Sequence, residues 1–209
     1  MFPALACLMT FGAMDTQIDY SGLPSIVAYS DYKIVTEAVQ ATLDPSTVGS
    51  DLVDFNSTTV YRNVGAVGQV TITIPRYRQG DGAPDFPVTA SWDNVSLDLK
   101  PSPIKAGFLQ ATASFVAQGT HALRIHFQEK AVKSGYANTQ RKLEYQLNGS
   151  QPVGLFTMSF RYTNKTVFGA PKISPDLGWQ SGPKGVAMRQ ENFEPGGRAA
   201  ILEYYPFGF

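Results

Sequence analysis

The two histidines are the side chains best suited to proton transfer or metal binding, and they lie close together as His121 and His126. His121 has the parity of the apolar residues Leu123 and Ile125, whereas His126 has the opposite parity. Side chains five positions apart in a regular strand point to opposite faces, so the two histidines cannot bind one metal ion there. We predict a packed His121 and a solvated His126. A hydrolase in which one of them activates a distant serine is an alternative, because a catalytic triad is recognised by geometry.

Other catalytic groups are not singled out by the sequence. It contains no Gly-x-Ser-x-Gly turn, and its one cysteine, Cys7, lies in an apolar N-terminal run. Seventeen acidic residues could include the carboxylate pair of a glycoside hydrolase, but the separation of such a pair is a property of the fold. We therefore expect a protein that is not an enzyme, with a glycan-acting hydrolase as an alternative.

Two groups of side chains could contact a ligand. Asp81 and Asp85 lie in the Gly- and Pro-rich segment 76–87 and could ligate calcium, although exposed turns contain the same residues and no cofactor is otherwise expected. Trp179, Tyr204 and Tyr205 could form an aromatic platform for a sugar ring. The predicted ligand-binding residues are Trp179, Tyr204, Asp81 and Asp85. Trp92 has the parity of the apolar residues around it, so we expect it in the core.

Four asparagines begin an Asn-x-Ser/Thr triplet: Asn56, Asn94, Asn148 and Asn164. They could be glycosylation sites in a eukaryotic host. They could equally result from Thr-rich strands that meet Asn-containing turns, which is the interpretation we favour.

The elements that position these residues are predicted to be strands. Val70, Ile72 and Ile74 alternate with Thr71 and Thr73, the pattern of a strand with one buried face. About nine to eleven such segments predict an all-β fold, an antiparallel β-sandwich with long Gly/Pro-rich loops at 76–87 and 170–198. The segments 111–117 and 123–127 are predicted to form one hairpin, and the segments on either side of Asn148-Gly149 another.

Segment 32–43 fits two elements. Its apolar residues recur at helical spacing, but Val39, Ala41 and Leu43 also alternate with the polar residues Glu37, Gln40 and Thr42. We favour a strand, because the downstream sequence has the β pattern.

Composition and the first residues bear on location. Seventeen basic and seventeen acidic residues give no net charge, which argues against nucleic-acid binding. The apolar run 2–13 has the length of a signal-peptide core and is too short to span a membrane. We predict a signal peptide at 1–13, a single β-sandwich domain at 14–209, and a secreted or periplasmic protein whose mature chain has no transmembrane segment.

Tyr61-Arg62-Asn63, followed by the hydrophobic strand that ends at Pro75, resembles a pattern of uncharacterised bacterial secreted β-rich proteins. Leu143 to Leu147, followed by Gly149, resembles a later strand and turn of theirs. The resemblance covers about a third of the chain and implies location and fold only.

Together these patterns predict a binding or structural module of the cell envelope, whose partners are other envelope or extracellular proteins or a polysaccharide. The alternatives are a carbohydrate-binding module, or a subunit that joins an extracellular assembly through an exposed edge strand.

Overall fold

The computed structural model describes residues 22–43, 51–66, 68–75, 87–104, 108–136, 139–147, 149, 151–162 and 167–206. Several sequence predictions fall outside these ranges: the signal peptide with Cys7, the calcium ligands Asp81 and Asp85, and the asparagines Asn148 and Asn164.

The described chain is built from strands, which confirms the all-β prediction. The strands are β1 (Ser25–Val27), β2 (Tyr32–Leu43), β3 (Leu52–Asn63), β4 (Gln69–Pro75), β5 (Thr89–Trp92), β6 (Val95–Ser96), β7 (Lys100–Pro101), β8 (Phe108–Ser114), β9 (Thr120–Lys130), β10 (Val132–Ser134), β11 (Gln140–Gln146), β12 (Val153–Arg161), β13 (Val167–Ser174), β14 (Gln180–Gly182), β15 (Gly185–Phe193) and β16 (Ala199–Pro206). These sixteen exceed the nine to eleven predicted, since five of them have only two or three residues.

The strands form three sheets rather than the two of a simple sandwich. The large sheet has the order β14-β15-β12-β2-β3-β9-β5-β6, the first small sheet β1-β4-β8-β7, and the second small sheet β10-β11-β16-β13. The pairing of β2 with β12 is parallel, so the prediction of a wholly antiparallel fold was wrong. Parallel neighbours need a long connection, and five strands of the two small sheets (β4, β7, β8, β10 and β11) lie between β2 and β12 in the chain.

Both small sheets pack on the same face of the large sheet. In β3, residues of one parity are buried and those of the other parity lie on the opposite face. The Phe55 ring of β3 stacks on Tyr145 of the second small sheet with centroids 5.8 Å apart. The Trp92 indole of β5 donates to the Ser114 carbonyl of the first small sheet at 2.7 Å. One hydrophobic cluster therefore joins all three sheets, and the other face of the large sheet is left outside it.

Strand β2 confirms the strand prediction for 32–43, with one correction. A bulge at Val35 shifts the pairing with β3 between Ile34 and Thr36. Val35 is thereby exposed, and Glu37 points into the core with only 2% of its surface exposed. Placing Glu37 among the outward polar residues was wrong, because Glu37 has the parity of buried Val39.

Both predicted hairpins are wrong. Strand β8 pairs with β4 and β7, whereas β9 pairs with β3 and β5. Likewise β11 pairs with β10 and β16, whereas β12 pairs with β2 and β15. Turn residues indicate that the chain changes direction, but they do not show that the strands before and after the turn pair with each other. At both places the chain crosses from a small sheet to the large one.

Segment 170–198 is not the long irregular loop that was predicted. It contains the end of β13 and all of β14 and β15. Strands β14 and β15 form a hairpin that requires glycine at position 185. A side chain on Gly185 would come within 2.0 Å of the Phe160 carbonyl oxygen. Gly185 also has a φ of 138°, which L side chains rarely adopt.

Candidate functional site: the polar face of the large sheet

The outward face of the large sheet carries mainly polar side chains, which the strand register aligns in two rows. We call these two rows the polar face. One row consists of Gln180, Ala187, Ser159, Gln40, Asn56, His126 and Thr89, and the next of Arg189, Thr157, Ala38, Thr58, Arg124, Ser91 and Ser96. The alternation of β2, β3, β9 and β12 produces this face, since their inward positions supply the core.

Two adjoining grooves lie over the polar face. The first has a volume of about 600 Å³ and extends from β3 to β14. The second has a volume of about 340 Å³ and extends from β3 to β6. Asn56 and Thr58 line both grooves. A ligand that lies across the strands could therefore occupy both.

The charged residues that line the grooves are basic. Arg189 lines the first groove and Arg124 and His126 line the second, and neither lining contains Asp or Glu among the residues that the structure describes. An Arg124 guanidinium nitrogen donates to the Asn94 side-chain oxygen, which orients the guanidinium. The His126 ring lies 2.6 Å from a carboxylate oxygen of Asp54, measured from Nε2. The grooves thus present hydroxyl, amide and guanidinium groups on a rigid sheet.

The histidines occupy opposite faces, as predicted. His121 is buried beside Trp92 (ring centroids 5.4 Å apart), with Nδ1 2.7 Å from an Asp93 carboxylate oxygen. Its Nε2 lies 3.5 Å from the Val116 carbonyl oxygen. In the residues that the structure describes, no hydroxyl group hydrogen-bonds to either imidazole, so this geometry provides no activated nucleophile.

The aromatic candidates are placed in different environments. Trp92 is in the core, as predicted. Trp179 is half-buried: its ring packs on Phe160 with centroids 5.6 Å apart, and its Nε1 donates to the Pro175 carbonyl at 3.0 Å. Tyr204 is buried inside the second small sheet, where it offers no ring face to a sugar, and its neighbour Tyr205 is the outward residue. These residues do not form a common platform.

Sequence analysis missed a buried polar cluster on the opposite face of the large sheet. Glu37 of β2 pairs with Thr59 of β3, and Tyr61 follows two positions later. Among the described residues, Glu37 Oε1, Thr59 Oγ1 and the Tyr61 hydroxyl have no hydrogen-bond partner of good geometry. The burial of Glu37 raises its pKa to about 8, and the nearby Thr59 hydroxyl lowers it only in part.

Burial also raises the pKa of Tyr61 well above its ordinary value, and the Glu37 carboxylate contributes to that increase. The Glu37 carboxyl group is therefore protonated and neutral at pH 7. It is enclosed in the core, so this cluster offers no access to a ligand. The signal that could have revealed it is the parity that Glu37 shares with Val39, Ala41 and Leu43.

The described residues contain neither a candidate metal site nor a candidate membrane-spanning helix. No group of three His, Cys, Asp or Glu side chains in them could hold a metal ion. None of their helices is long and apolar enough to cross a membrane.

Comparisons with known proteins found similarity of fold only. No family model and no curated protein sequence matches this chain. A protein from Legionella pneumophila, described as a candidate nutrient-binding protein, is similar with a TM-score of 0.63 and 11% identity, over 88% of this chain and 70% of that one. Yeast LTA4 hydrolase in complex with bestatin is similar with a TM-score of 0.53 and 11% identity, over 92% of this chain and 31% of the hydrolase. At these identities, what the chain shares with both proteins is a β fold.

Proposed function

We propose that this protein is a non-catalytic binding module that takes an extended glycan on the polar face of its large sheet. The observation that carries the proposal is the pair of grooves joined at Asn56 and Thr58. Amide and hydroxyl groups both donate and accept hydrogen bonds, so they match the hydroxyl groups of sugars. A sheet holds them in fixed positions, which lowers the entropy lost on binding.

The fold is compatible with this role. The similar Legionella protein is described as a candidate nutrient-binding protein, and the present chain covers most of its length. The chain accounts for less than a third of the yeast hydrolase, so an activity of that whole enzyme does not come with the shared fold.

Strand addition at a sheet edge is the less favoured role. The edges of the large sheet are β6 and β14, with two and three residues. Such short edges offer few backbone groups to an incoming strand, and the longer edge strand β13 of the second small sheet is interrupted by a register shift between Phe168 and Lys172. The grooves, in contrast, extend over the middle of the sheet.

We expect Ala38→Trp to weaken glycan binding at least about tenfold. Ala38 is exposed in the floor of the first groove between Thr157 and Thr58, so an indole there fills space that the ligand needs. Tryptophan is favourable in strands, so the fold should be retained. The measurement is a screen of cell-wall and extracellular polysaccharides, followed by titration calorimetry with the polymers that bind.

The matched control is Thr112→Trp, an exposed strand position of the first small sheet outside the polar face. This variant should bind like the unmodified protein. Equal binding by the Ala38 variant would exclude the first groove as the site. Binding of no polysaccharide at all would refute the proposed function.

We further propose that the protein acts outside the cytoplasm, with residues 1–13 as its export signal. When the full chain is expressed in a bacterial host, the exported protein should begin at or near Met14. Intact-mass spectrometry of the periplasmic fraction and the medium tests this. Recovery of only uncleaved protein from the cytoplasm would contradict it.

A further inference from the structure

We propose that the glycan bound on the polar face is acidic, and that Arg124 and Arg189 bind two of its carboxylates. This inference rests on the proposed function and adds the chemical class of the ligand. Its basis is the unequal distribution of charge. The whole chain has no net charge, yet the described residues that line the grooves include two arginines and one histidine but no Asp or Glu.

The two arginines are spaced for an extended ligand. They belong to one row of the polar face, in which Arg189 of β15 and Arg124 of β9 are separated by Thr157, Ala38 and Thr58. Four interstrand steps of about 4.8 Å place their backbones roughly 19 Å apart. A single sugar cannot reach both guanidinium groups, whereas a chain of several units that crosses the strands can. Each groove then provides one arginine to the same chain.

Both guanidinium groups retain capacity for a ligand. Arg124 donates to Asn94, but a guanidinium has five N–H donors in a planar fork that matches a carboxylate. Within the described ranges, the charged partner of Arg189 is the exposed Glu191, at 3.7 Å, and exposed pairs of this kind contribute little. The displacement of Glu191 by a ligand carboxylate is therefore inexpensive.

The rest of the lining favours a glycan over other polyanions. Among the described residues, neither groove lining contains Phe, Tyr or Trp, whereas single-stranded nucleic acids are generally bound by stacking on such side chains. Extended peptides are commonly bound by pairing with an edge strand, and the polar face is the middle of a sheet. The floor instead offers side-chain amides and hydroxyls such as Gln40, Asn56 and Thr58, which can pair with sugar hydroxyl groups.

The test compares polygalacturonate, polymannuronate and hyaluronan with carboxyl-reduced, neutral samples of the same polymers. At least one acidic polymer should bind at least about tenfold more tightly than its neutral counterpart. Arg124→Ala and Arg189→Ala should each weaken that binding about tenfold. The loss of one charge-assisted hydrogen bond between a guanidinium and a carboxylate changes affinity by about this factor. Arg198→Ala removes an exposed arginine outside the polar face and should leave affinity unchanged.

The outcomes separate this inference from the proposed function. Equal binding of acidic and neutral polymers, still weakened by Ala38→Trp, would overturn the acidic ligand and leave the glycan-binding function standing. Equal affinity for poly-glutamate would overturn the glycan as the occupant. If no polymer binds, in either form, both proposals fail. Loss of affinity in the two arginine variants, with unchanged circular dichroism and an unaffected Arg198 variant, supports both.

Discussion

Glu37→Gln should raise the free energy of unfolding at pH 7 by roughly 3 kcal/mol, because it removes an ionisable group that the fold keeps neutral. Burial raises the pKa of Glu37 to about 8. At pH 7 the carboxyl group is protonated in the folded protein and ionised in the unfolded chain, which stabilises the unfolded state. The glutamine side chain is as neutral as the protonated carboxyl group and nearly the same shape, so it keeps the packing of the core.

The pH dependence of the free energy of unfolding shows whether the ionisation of Glu37 causes this difference in stability. Between the unfolded pKa of 4.5 and the folded value of about 8, the unfolded chain binds fewer protons than the folded protein. Stability therefore falls as pH rises through this window, by on the order of 5 kcal/mol in total, and levels off above the folded pKa. The favourable contribution is fully present only below pH 4.5. In the Gln variant this part of the slope should disappear.

Urea unfolding from pH 4 to pH 9 measures both effects. Glu191→Gln is the matched control, because Glu191 is exposed. In the described part of the chain, its carboxylate forms a surface ion pair with Arg189. The control should follow the stability profile of the unmodified protein. Parallel profiles for the unmodified protein and the Glu37 variant would show that Glu37 is ionised in the folded state, contrary to this account.

The elements of the fold could be predicted from sequence better than their pairing. Alternation identified β2 as a strand and placed Trp92 and His121 in the core, because parity depends only on neighbouring residues. It could not show that the second neighbour of β2, besides β3, is β12, which lies more than a hundred residues away in the chain. Parity also fails at a bulge, which is why Val35 is exposed although it has the parity of buried Glu37 and Val39.

The candidate site was less predictable than the fold for the same reason. Asn56 and Thr58 look like ordinary outward residues of a strand, and nothing near them in sequence shows that Arg124 and Arg189 lie in the same row. That row exists only because the register brings β15, β12, β2, β3 and β9 together. The sequence instead suggested aromatic residues as ligand contacts. It did not show which of them are exposed, since a single position separates buried Tyr204 from exposed Tyr205.

Asp51→Ala is expected to lower the free energy of unfolding by about 3–5 kcal/mol, because it removes one partner of a buried ion pair. Arg141 of β11 donates to Asp51, and the two side chains are only 5% and 8% exposed. Asp51 directly precedes β3, so the ion pair connects the second small sheet to the large one. The Arg141 guanidinium also donates to the Gln140 carbonyl at 3.0 Å.

Removing both charges should cost less than removing Asp51 alone, because the guanidinium is then removed together with the carboxylate that it contacts. Arg141→Leu with Asp51→Ala replaces the pair by apolar side chains, a change that is often nearly neutral in buried pairs. A double-mutant cycle measured by urea unfolding should therefore show a coupling of at least about 2 kcal/mol. The exposed pair Lys172 and Glu203, 3.7 Å apart, provides the comparison cycle and should show a coupling below about 1 kcal/mol. Equal couplings in the two cycles would mean that water reaches Arg141 and Asp51, and that the contact between the two sheets does not depend on their charges.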